Sequence, residues 1–494
     1  MKNRIVIISL IISSFILIQL PQSGYAIDKV IIVKGQVFND GNSNGVRDGK
    51  EKGLKDILIS NGTDIVKTDK NGLYYIKANI GESIFPILPS EYTWSRSTTK
   101  VVNANFLYLD PNDKNIKDTI SWLIPVLKTE VAKSFNVGAI GDIQVDNAEE
   151  LSYAAKSIFS ELNNRNDISF NLMLGDLVND KVSLLPIMRD MMDQLPSYSW
   201  TLVGNHDRNT DNPLFMNDAF NRLNGSDNYA FNYGKAHFIV LNNVFATDKK
   251  SYEGRINDKQ LQFLRNDLSY VSKEKTIVIS QHIPMVATRN NKEVLDLVKD
   301  YANVLILSGH THTVSRHFFK HPNIQELGAG ATCGNWWRGE KDTNGIPNAL
   351  MQCGTPRGYF VVNFEDDKYS FRFKGVGLDD NKQMALTTDS NRIVVNVFGA
   401  GDSTDVSIKI DDAEWVKMNR KKDVDPTVLA IVELNHAKIF PTKGNTLNPL
   451  RKRNSSHLWE VARQKSSSPK TSVVLIKAQD RFGLNVTQKF LLYE

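Results

Sequence analysis

The stretch Ser199–Val203, with the sequence SWTLV, is followed directly by Gly204-Asn205-His206-Asp207. A short apolar run bounded by turn-forming residues is typical of a buried β-strand. A strand that ends in an amide, an imidazole and a carboxylate brings three polar side chains to one edge of a sheet. Gly-Asn is also a common turn pair, so this stretch alone does not assign a function. Its function can be interpreted only together with the other polar stretches that follow predicted strands.

Further polar blocks follow strand-like runs in the same part of the chain. They are Gly141-Asp142-Ile143-Gln144, Gly175-Asp176-Leu177-Val178-Asn179-Asp180, Gln281-His282 and Gly309-His310-Thr311-His312. In open α/β sheets, ligands bind outside the carboxyl ends of the strands, so side chains from these ends can meet in one site. Each block alone is explained by a turn or by the continuation of a strand. Their joint occurrence predicts a functional site.

The composition is that of an ordinary soluble protein. The chain has 494 residues, of which 41% are hydrophobic and 23% charged, and this length favours roughly three domains. The formal net charge is +5, and Lys2 and Arg4 contribute two of these charges. Because so mild an excess is not a basic stripe, we expect no specific binding of nucleic acid.

The first 26 residues have the features of a secretory signal peptide. Lys2 and Arg4 precede the apolar run Ile5–Leu20, and the small residues Gly24 and Ala26 predict cleavage after Ala26. A retained membrane anchor is the alternative, although the run is short for a membrane span. Export permits disulfides, so Cys333 and Cys353 either form a bridge or are two free buried thiols.

Residues 27–128 are predicted to form an N-terminal β-sandwich, because short β-branched or aromatic runs, among them Val101–Leu109, alternate with Gly, Asn and Asp. Within this region, residues 40–51 read DGNSNGVRDGKE. Oxygen-bearing side chains at positions 1, 3, 5, 9 and 12, with Gly at position 6, match the spacing of an EF-hand calcium loop. The predicted calcium ligands, with a backbone carbonyl at position 7, are Asp40, Asn42, Asn44, Val46, Asp48 and Glu51.

The residues on either side of this loop look like strands rather than helices. Together with the turn Thr68–Tyr74, the segment resembles the calcium-binding B-type modules of bacterial surface adhesins. The resemblance implies a structural Ca²⁺ held by the same side chains. The alternative is a hairpin loop, rich in Asn and Gly, that binds no metal.

The next two regions differ in their periodicity. In residues 129–377, strand-like runs alternate with helical patterns such as the one that begins at Asn147, which favours an α/β domain. Residues 378–494 return to strand-like runs, including Val428–Leu434, and predict a C-terminal β-sandwich. His436 and His457 are isolated in this last region, as is more typical of surface residues than of ligands.

The polar blocks resemble those of the calcineurin-like metallophosphoesterase superfamily over most of residues 135–377. The resemblance implies a four-layer α/β sandwich, in which helices flank two β-sheets, with all-β domains at both ends of the chain. It implies two divalent metal ions that share Asp176, and the mixture of N and O ligands suits Mn, Fe, Zn or Co. The implied ligands of the first metal are Asp142, Gln144, Asp176 and His312. Those of the second metal are Asp176, Asn205, His282 and His310.

The same resemblance implies the chemistry. In a two-metal site an activated hydroxide attacks phosphorus while both ions neutralise the phosphoryl oxygens. We expect His206 to be the catalytic general acid or oxyanion stabiliser, with Asp207 orienting its ring, unless His206 is only a core histidine. Gln144 departs from the commonest pattern, which has His at this place. Some branches resemble this chain there, so the departure leaves the identity and occupancy of the first metal open.

The loop Gly328–Glu340 is the best candidate for substrate selection. Trp336 and Trp337 could stack on a sugar or base, or cover an acyl chain, while Arg338 meets a phosphate. The alternative is that the two Trp side chains fill an interface with a β domain.

The sequence therefore predicts an exported, metal-dependent phosphoesterase that hydrolyses a phosphate mono- or diester. The substrate classes considered are cell-envelope phospholipids, sugar phosphates, nucleotides and phosphoproteins. The order of domains resembles an exported bacterial branch of the superfamily, whose members would be periplasmic, on the cell surface or secreted. One alternative is a non-catalytic surface or adhesion protein with a relic phosphoesterase domain. Another is a metal-dependent nuclease, which the low net charge disfavours.

Overall fold

A computed structural model describes residues 29–97, 99–438, 447–463 and 470–493. The predicted signal peptide, residues 1–26, lies outside the described residues. Among the helices of the described residues, none has the length and apolar character needed to cross a membrane.

The N-terminal region consists of two packed sheets. The first sheet has the strand order β4-β1-β8-β6 and the second the order β3-β2-β5-β7. Buried side chains from both sheets meet between them, and Val33 of β1 and Ile84 of β5 are completely buried there. The strands are β1 Val30–Asn39, β2 Leu58–Ser60, β3 Ile65–Lys67, β4 Leu73–Asn79, β5 Ser83–Ile87, β6 Tyr92–Trp94, β7 Leu107–Tyr108 and β8 Thr119–Lys128.

One predicted strand of this region is wrong. Residues 101–109 were expected to be extended, but Val102–Asn105 form a single 3₁₀ turn before the short strand β7. The turn is held by contacts with another domain. Asn103 Nδ2 donates to the carbonyl of Thr201 at 3.2 Å, and Thr201 N donates to Asn103 Oδ1 at 3.2 Å. These tertiary hydrogen bonds override the strand propensity of the segment.

The central region contains two larger sheets, with the orders β11-β10-β9-β20-β21 and β12-β13-β16-β17-β19-β18. β9, β10 and β11 are parallel, as are β13, β16 and β17, so their carboxyl ends point the same way within each sheet. The strands are β9 Ser134–Ile140, β10 Phe170–Met173, β11 Tyr198–Thr201, β12 Tyr229–Tyr233, β13 Ala236–Val240, β14 Val244–Ala246, β15 Tyr252–Gly254, β16 Thr276–Ser280, β17 Asn303–Ser308, β18 Val314–Phe318, β19 Ile324–Ala329, β20 Gly358–Glu365 and β21 Lys368–Gly375.

Helices connect the parallel strands. Such crossovers cover the outer faces of a sheet, which leaves the inner faces to form the core. Asn147 caps the first helix by accepting from Glu150 N at 3.0 Å, and Asn257 caps α5 by accepting from Gln260 N at 2.9 Å. The predicted α/β sandwich with flanking β domains is confirmed. The helices are α1 Ala148–Ala154, α2 Ser160–Asn163, α3 Leu185–Asp193, α4 Asp218–Asn224, α5 Asp258–Leu268 and α6 Asn291–Val298, with a π-helical turn, Ala155–Phe159, between α1 and α2.

The C-terminal region is again built from two sheets, with the orders β22-β23-β27-β26 and β25-β24-β28-β29. The buried ion pair between Arg316 of β18 and Asp480 joins this region to the central one. The strands are β22 Met384–Thr388, β23 Arg392–Val397, β24 Asp405–Ile410, β25 Val416–Lys417, β26 Asn419–Val424, β27 Asn454–Ala462, β28 Thr471–Gln479 and β29 Asn485–Tyr493.

Two expectations for the C-terminal region are wrong. The segment 428–434 is not a strand but part of helix α7, Pro426–His436. Asp425 caps this helix by accepting from Thr427 N and Val428 N, and Pro426 occupies its first turn, where its missing N–H costs nothing. His457 is not a surface residue either, because it is completely buried and bonds through Nδ1 to Asn396 Oδ1 at 2.8 Å.

The N-terminal sandwich shares a hydrophobic core with the central domain. Phe85 and Phe106 stack on each other and both meet the ring of Tyr229 edge to face. A backbone hydrogen bond also joins the two regions, since Ser199 N of β11 donates to the carbonyl of Lys100 at 2.8 Å. The strand that leads to Gly204-Asn205-His206-Asp207 is therefore supported directly by the N-terminal region.

Candidate metal centre

The polar blocks predicted from the sequence meet at the carboxyl ends of the parallel strands. Asp142 follows β9, Asp176 follows β10 and Asn205 follows β11, while His282 and His310 follow β16 and β17 of the other sheet. One ligand atom from each of Asp176, His282 and His310 lies within 4.8 Å of the others. The two sheets thus contribute to a single site.

The backbone at this site adopts a conformation that non-glycine residues seldom take. Five of the predicted metal ligands have positive φ angles, namely Asp142 (44°), Gln144 (45°), Asp176 (51°), His310 (72°) and His312 (51°). Such left-handed conformations are uncommon for these residues and tend to cluster where function requires them. Gly204 must lack a side chain, because a Cβ there would lie 2.1 Å from Asp176 Oδ1.

The ligands predicted for the second metal are in mutual contact. His282 Nδ1 donates to the carbonyl of Leu174 at 2.8 Å, which turns Nε2 toward Asn205 Oδ1 at 3.0 Å and Asp176 Oδ2 at 3.2 Å. His310 Nδ1 is buried and has no hydrogen-bond partner among the described residues. A buried ring nitrogen without a partner fits a metal ligand, since an unpaired polar atom in a core is costly.

The ligands predicted for the first metal are partly in contact. Both carboxylate oxygens of Asp142 accept from His310 N, at 3.0 and 2.9 Å, and Asp142 Oδ1 lies 3.6 Å from His312 Nε2. His312 Nδ1 donates to the carbonyl of Gly334 at 2.8 Å. This hydrogen bond fixes the ring so that Nε2 faces the carboxylates.

Gln144 lies beside these groups. Its backbone N–H donates to the carbonyl of Asp176 at 2.8 Å, and its Nε2 donates to Asn179 Oδ1 at 3.4 Å. The thiol of Cys333 is 3.9 Å from Gln144 Oε1. Cys333 and Cys353 are both free and buried, so of the two alternatives for these residues the structure contains the free thiols.

The charges at the site fit a divalent cation. Burial raises the pKa of Asp142 well above its ordinary value. Burial also acts to raise the pKa of Asp176, but His282 outweighs it and lowers this pKa to about 2. Burial would lower the pKa of His282, yet Asp176 and Asp142 raise it to about 9. A proton on His282 therefore compensates the negative charge of Asp176, at a place where a metal ion would also do so.

The imidazoles of His310 and His312 are in the protonation state that binds a metal ion. Burial lowers the pKa of His310 and of His312 to about 4, so both rings are neutral near pH 7. Neutral imidazole is the form that binds a metal. With carboxylate and amide oxygens beside them, these nitrogens suit Mn, Fe, Zn or Co.

His206 is placed at the mouth of the site. Its backbone N–H donates to Asp176 Oδ1 at 2.9 Å, and its side chain is 29% exposed. The ring nitrogen Nδ1 lies 2.8 Å from Asp180 Oδ1, so the other nitrogen, Nε2, is left for a substrate. This position fits a proton donor to a leaving group.

The role predicted for Asp207 is wrong. Asp207 is completely buried, and its carboxylate accepts from Val178 N at 3.1 Å and from Gly204 N at 2.8 Å. It therefore fixes the turn that carries His206 rather than the imidazole itself. The carboxylate that orients the imidazole is that of Asp180.

Sequence analysis missed three residues at this site. Asp180 belongs to one of the polar blocks, but no role was predicted for it. Arg208 is buried, donates through Nε to the carbonyl of Asn205 at 3.2 Å, and lies 5.1 Å from the ring of Tyr252. The Tyr252 ring is in turn 6.1 Å from that of His310. Arg208 follows Asp207 directly and could have been noticed, whereas nothing around Tyr252 marks it.

The loop predicted to select the substrate divides into two parts. Trp337 is 3% exposed, and its Nε1 donates to the carbonyl of Ile143 at 2.9 Å, so its predicted contact with substrate is wrong. Trp336 is 41% exposed and stacks on the ring of His312. Arg338 is also exposed, and its charge opposes the rise that burial causes in the pKa of Glu150.

The side chains of the predicted calcium loop converge. The amide nitrogens of Asn42 and Asn44 lie 2.7 and 3.2 Å from Asp48 Oδ2. Asp40 is completely buried and accepts from Gly45 N at 2.8 Å. Glu51 Oε1 is buried and has no hydrogen-bond partner among the described residues. Asn42 Oδ1 and Asn44 Oδ1 accept from Asn44 N at 3.1 Å and Val46 N at 2.7 Å. Three carboxylates and two amide oxygens gathered in one loop are a donor set that fits Ca²⁺.

Solved structures with some likeness to this chain include a purple acid phosphatase from yellow lupin, with 11% identity over 65% of this chain and 67% of that one and a TM-score of 0.35. A phosphopantetheinyl hydrolase from Mycobacterium tuberculosis has 11% identity over 44% of this chain and 96% of that one, with a TM-score of 0.29. A phosphatase from Mycoplasma pneumoniae has 10% identity over 73% and 94%, with a TM-score of 0.26. Curated proteins gave no significant match.

Family profiles match three consecutive parts of the chain. Residues 135–314, which contain the polar blocks up to His312, match the calcineurin-like phosphoesterase profile. Residues 41–119 match the profile described as the N terminal of calcineurin-like phosphoesterase. Residues 326–485 match the corresponding C-terminal profile. With the geometry of the site, these matches show that the chain belongs to the calcineurin-like phosphoesterase family and is a metallophosphoesterase.

Proposed function

We propose that this metallophosphoesterase is exported and uses two divalent metal ions to hydrolyse a phosphate mono- or diester. The observation that carries the proposal is the convergence of Asp176, His282 and His310 within 4.8 Å, next to a partly exposed His206. The residues that would hold the first ion are Asp142, Gln144, Asp176 and His312. Those that would hold the second are Asp176, Asn205, His282 and His310.

When bound, the two ions would supply an activated water nucleophile and neutralise charge on the phosphoryl oxygens. The protein's own contribution is to hold the ligands in place and to manage the leaving group. Asp180 accepts a hydrogen bond from His206 Nδ1, which keeps a proton on that nitrogen and turns Nε2 outward. Protonated at Nε2, His206 can donate that proton to the departing alkoxide, because an alkoxide is a poor leaving group without it.

Arg208 and Tyr252 line the side of the site near Asn205 and His310. The guanidinium of Arg208 carries a positive charge that is buried within the site, and burial lowers its pKa. A guanidinium in this environment attracts anions, including phosphate oxygens. We assign it a supporting role in holding the substrate close to the ligands.

The loop Asp40–Glu51 is proposed to bind a structural Ca²⁺. Support comes from the converging side chains of Asn42, Asn44 and Asp48, and from Glu51 Oε1, which has no hydrogen-bond partner in the described part of the chain. Ser95 Oγ donates to Asp40 Oδ2 at 2.6 Å, so an ion in this loop would also stabilise the segment that leads to the central domain.

The function is tested with the full-length chain on p-nitrophenyl phosphate and bis-p-nitrophenyl phosphate. We expect turnover of at least one ester with added Mn²⁺ and its loss with a chelator. His206→Gln is expected to be strongly impaired, whereas His436→Gln, which changes an exposed histidine far along the chain, serves as its matched control. No turnover of either ester with Mn²⁺, Fe²⁺, Zn²⁺ or Co²⁺ would contradict the proposal.

Export is tested separately. Cell fractionation followed by N-terminal sequencing is expected to find the protein outside the cytoplasm, with Ile27 as its first residue. A protein that stays in the cytoplasm with Met1 in place would contradict this part of the proposal.

A further inference from the structure

Trp336 occupies an unusual position beside the metal centre. Its ring stacks on that of His312, with 4.3 Å between the ring centroids and 22° between the planes. The side chain is nevertheless 41% exposed, although large aromatic side chains are usually covered. One part of the indole is therefore packed against a predicted metal ligand while another part faces solvent next to the site.

The backbone around Trp336 is held in a strained conformation. Trp336 and Trp337 have φ angles of 54° and 52°, which are rare for bulky residues. Hydrogen bonds maintain this conformation, since Trp337 N donates to the carbonyl of Cys333 at 2.9 Å and Asn335 N donates to that of Ala349 at 3.0 Å. Trp337 anchors the loop in the core, which leaves Trp336 projecting from it.

The C-terminal domain holds the same loop. The Nδ2 of Asn335, which is 1% exposed, donates to Oδ1 of Asn448 at 2.6 Å. Asn448 is itself buried, and its carbonyl accepts from Asn435 Nδ2 at 2.8 Å. Asn435 belongs to α7, so this hydrogen-bonded chain joins the helix of the C-terminal domain to the residue directly before Trp336.

Further contacts hold the segment that follows this loop against the same domain. Leu350 packs against the apolar cluster of Val428, Val432 and Leu450. The carbonyl of Cys353 accepts from Asn396 Nδ2 at 3.0 Å. The position of Trp336 is therefore set jointly by the central and the C-terminal domains.

From these contacts we infer that Trp336 is a stacking platform for a planar ring in the leaving group of the substrate, and that Asn448 is the residue that positions it. The inference rests on the proposed phosphoesterase activity and names the class of ester that the site prefers. A ring attached to a phosphate near His312 would lie within reach of the indole. Planar rings gain from stacking on indole, whereas saturated rings of similar size gain less.

The test compares benzyl phosphate with cyclohexylmethyl phosphate, because both release a primary alcohol and differ in the planarity of the ring. With Mn²⁺ and full-length protein, kcat/KM is expected to favour the benzyl ester by about tenfold in the wild type. Trp336→Ala should remove most of this preference, and Trp336→Phe should retain part of it. The change is expected mainly in KM, with metal content unaltered.

Asn448→Ala is expected to reduce the preference for the benzyl ester. Asn448→Asp keeps an acceptor oxygen for Asn335 and should therefore retain the preference. A purely structural role of Asn448 would lower activity on both esters equally.

Adenosine 5′-monophosphate and ribose 5-phosphate then distinguish a nucleobase from another aromatic ring, since they share the same phosphorylated alcohol. A nucleobase platform predicts a preference for the nucleotide that Trp336→Ala abolishes.

Binding of benzylphosphonate and cyclohexylmethylphosphonate, measured by calorimetry, gives a second readout that needs no turnover. An equal affinity for both phosphonates in the wild type would overturn the inference, as would a benzyl preference that survives in Trp336→Ala. A failure of the proposed phosphoesterase activity would give a different result from a failure of the stacking role. In that case the wild type hydrolyses neither ester, while the calorimetric comparison still decides the role of Trp336.

Discussion

The ring nitrogen Nδ1 of His206 lies 2.8 Å from Oδ1 of Asp180, a residue 26 positions earlier in the chain. The two residues follow neighbouring parallel strands, β11 and β10. Asp180 N also donates to the carbonyl of His206 at 3.1 Å, so the pair is joined through both backbone and side chain. The contact assigns the orienting carboxylate to Asp180.

The first prediction concerns this pair. His206→Gln should lower kcat by about 10²- to 10⁴-fold, because the leaving group loses its proton donor. Asp180→Asn should have a smaller effect, since the imidazole remains but loses its charged partner. Steady-state kinetics with metal analysis of each variant checks both. Wild-type kcat in His206→Gln at full metal content would show that His206 gives no proton.

The second prediction separates Asp207 from Asp180 by stability. Asp207 is completely buried and accepts from two backbone N–H groups, whereas the side chain of Asp180 is 70% exposed. Asp207→Ala should therefore lower the free energy of unfolding by about 2 kcal/mol or more, since buried N–H groups lose their acceptor. Asp180→Ala should change it little. Thermal unfolding of the two variants provides the comparison, and equal losses would contradict it.

The third prediction concerns metal content. Asp176→Ala should lose both ions, because Asp176 contributes to both ligand sets. His310→Ala should lose only the second ion. Gln144→His, which adds a stronger ligand, should raise the affinity of the first. Elemental analysis after dialysis against limiting Mn²⁺ measures all three, and two retained ions in Asp176→Ala would contradict the assignment of the bridge.

The fourth prediction concerns the loop Asp40–Glu51. Calcium should raise the melting temperature of the wild type, because an ion that binds only the folded state stabilises it by mass action. Asp48→Ala should remove this calcium-dependent shift, as the side chains of Asn42 and Asn44 converge on Asp48. Asp69→Ala, in the turn that follows, is the matched control and should keep the shift. The same response to Ca²⁺ in both variants would contradict a site in the loop.

The fifth prediction concerns pH. Burial lowers the pKa of His457 to about 4 from its ordinary value of 6.5. The unfolded chain therefore binds a proton more readily, so stability is complete above pH 6.5 and falls as the pH drops toward 4. At pH 5 the loss is about 2 kcal/mol, at about 1.36 kcal/mol for each pKa unit.

His457→Asn should abolish that loss, since an amide in place of the ring can still donate to Asn396 but does not titrate. Urea unfolding at pH 7 and pH 5 measures the difference. His436→Asn is the control, because His436 is exposed. An equal acid sensitivity of wild type and His457→Asn would contradict the buried, neutral state of His457.

Much of the site was predictable because its residues lie at strand ends. The strands before Asp142, Asp176 and Asn205 are short apolar runs, and their parallel pairing brings the following residues to one edge. The partner of His206 was not predictable in the same way. Asp207 and Asp180 are both carboxylates near the imidazole, and only the path of the two loops decides which of them reaches Nδ1.

The errors in secondary structure have a similar origin. Val428 and Val432 are β-branched and favour a strand, yet they lie four residues apart on one face of α7 and pack with Leu450. The signals that favour a helix were Asp425 and Pro426, at the cap and in the first turn. The strand propensity of these valines was overridden by the helix-capping residues before them and by their packing in the folded protein.

The aromatic contact of Phe85 and Phe106 with Tyr229 also limits how this architecture can change in evolution. A domain that shares its hydrophobic core with its neighbour cannot be exchanged independently of that neighbour. Separating the chain near residue 129 would leave Tyr229, which is completely buried, facing water. Recombination at this junction would therefore have to carry over the matching aromatic surface.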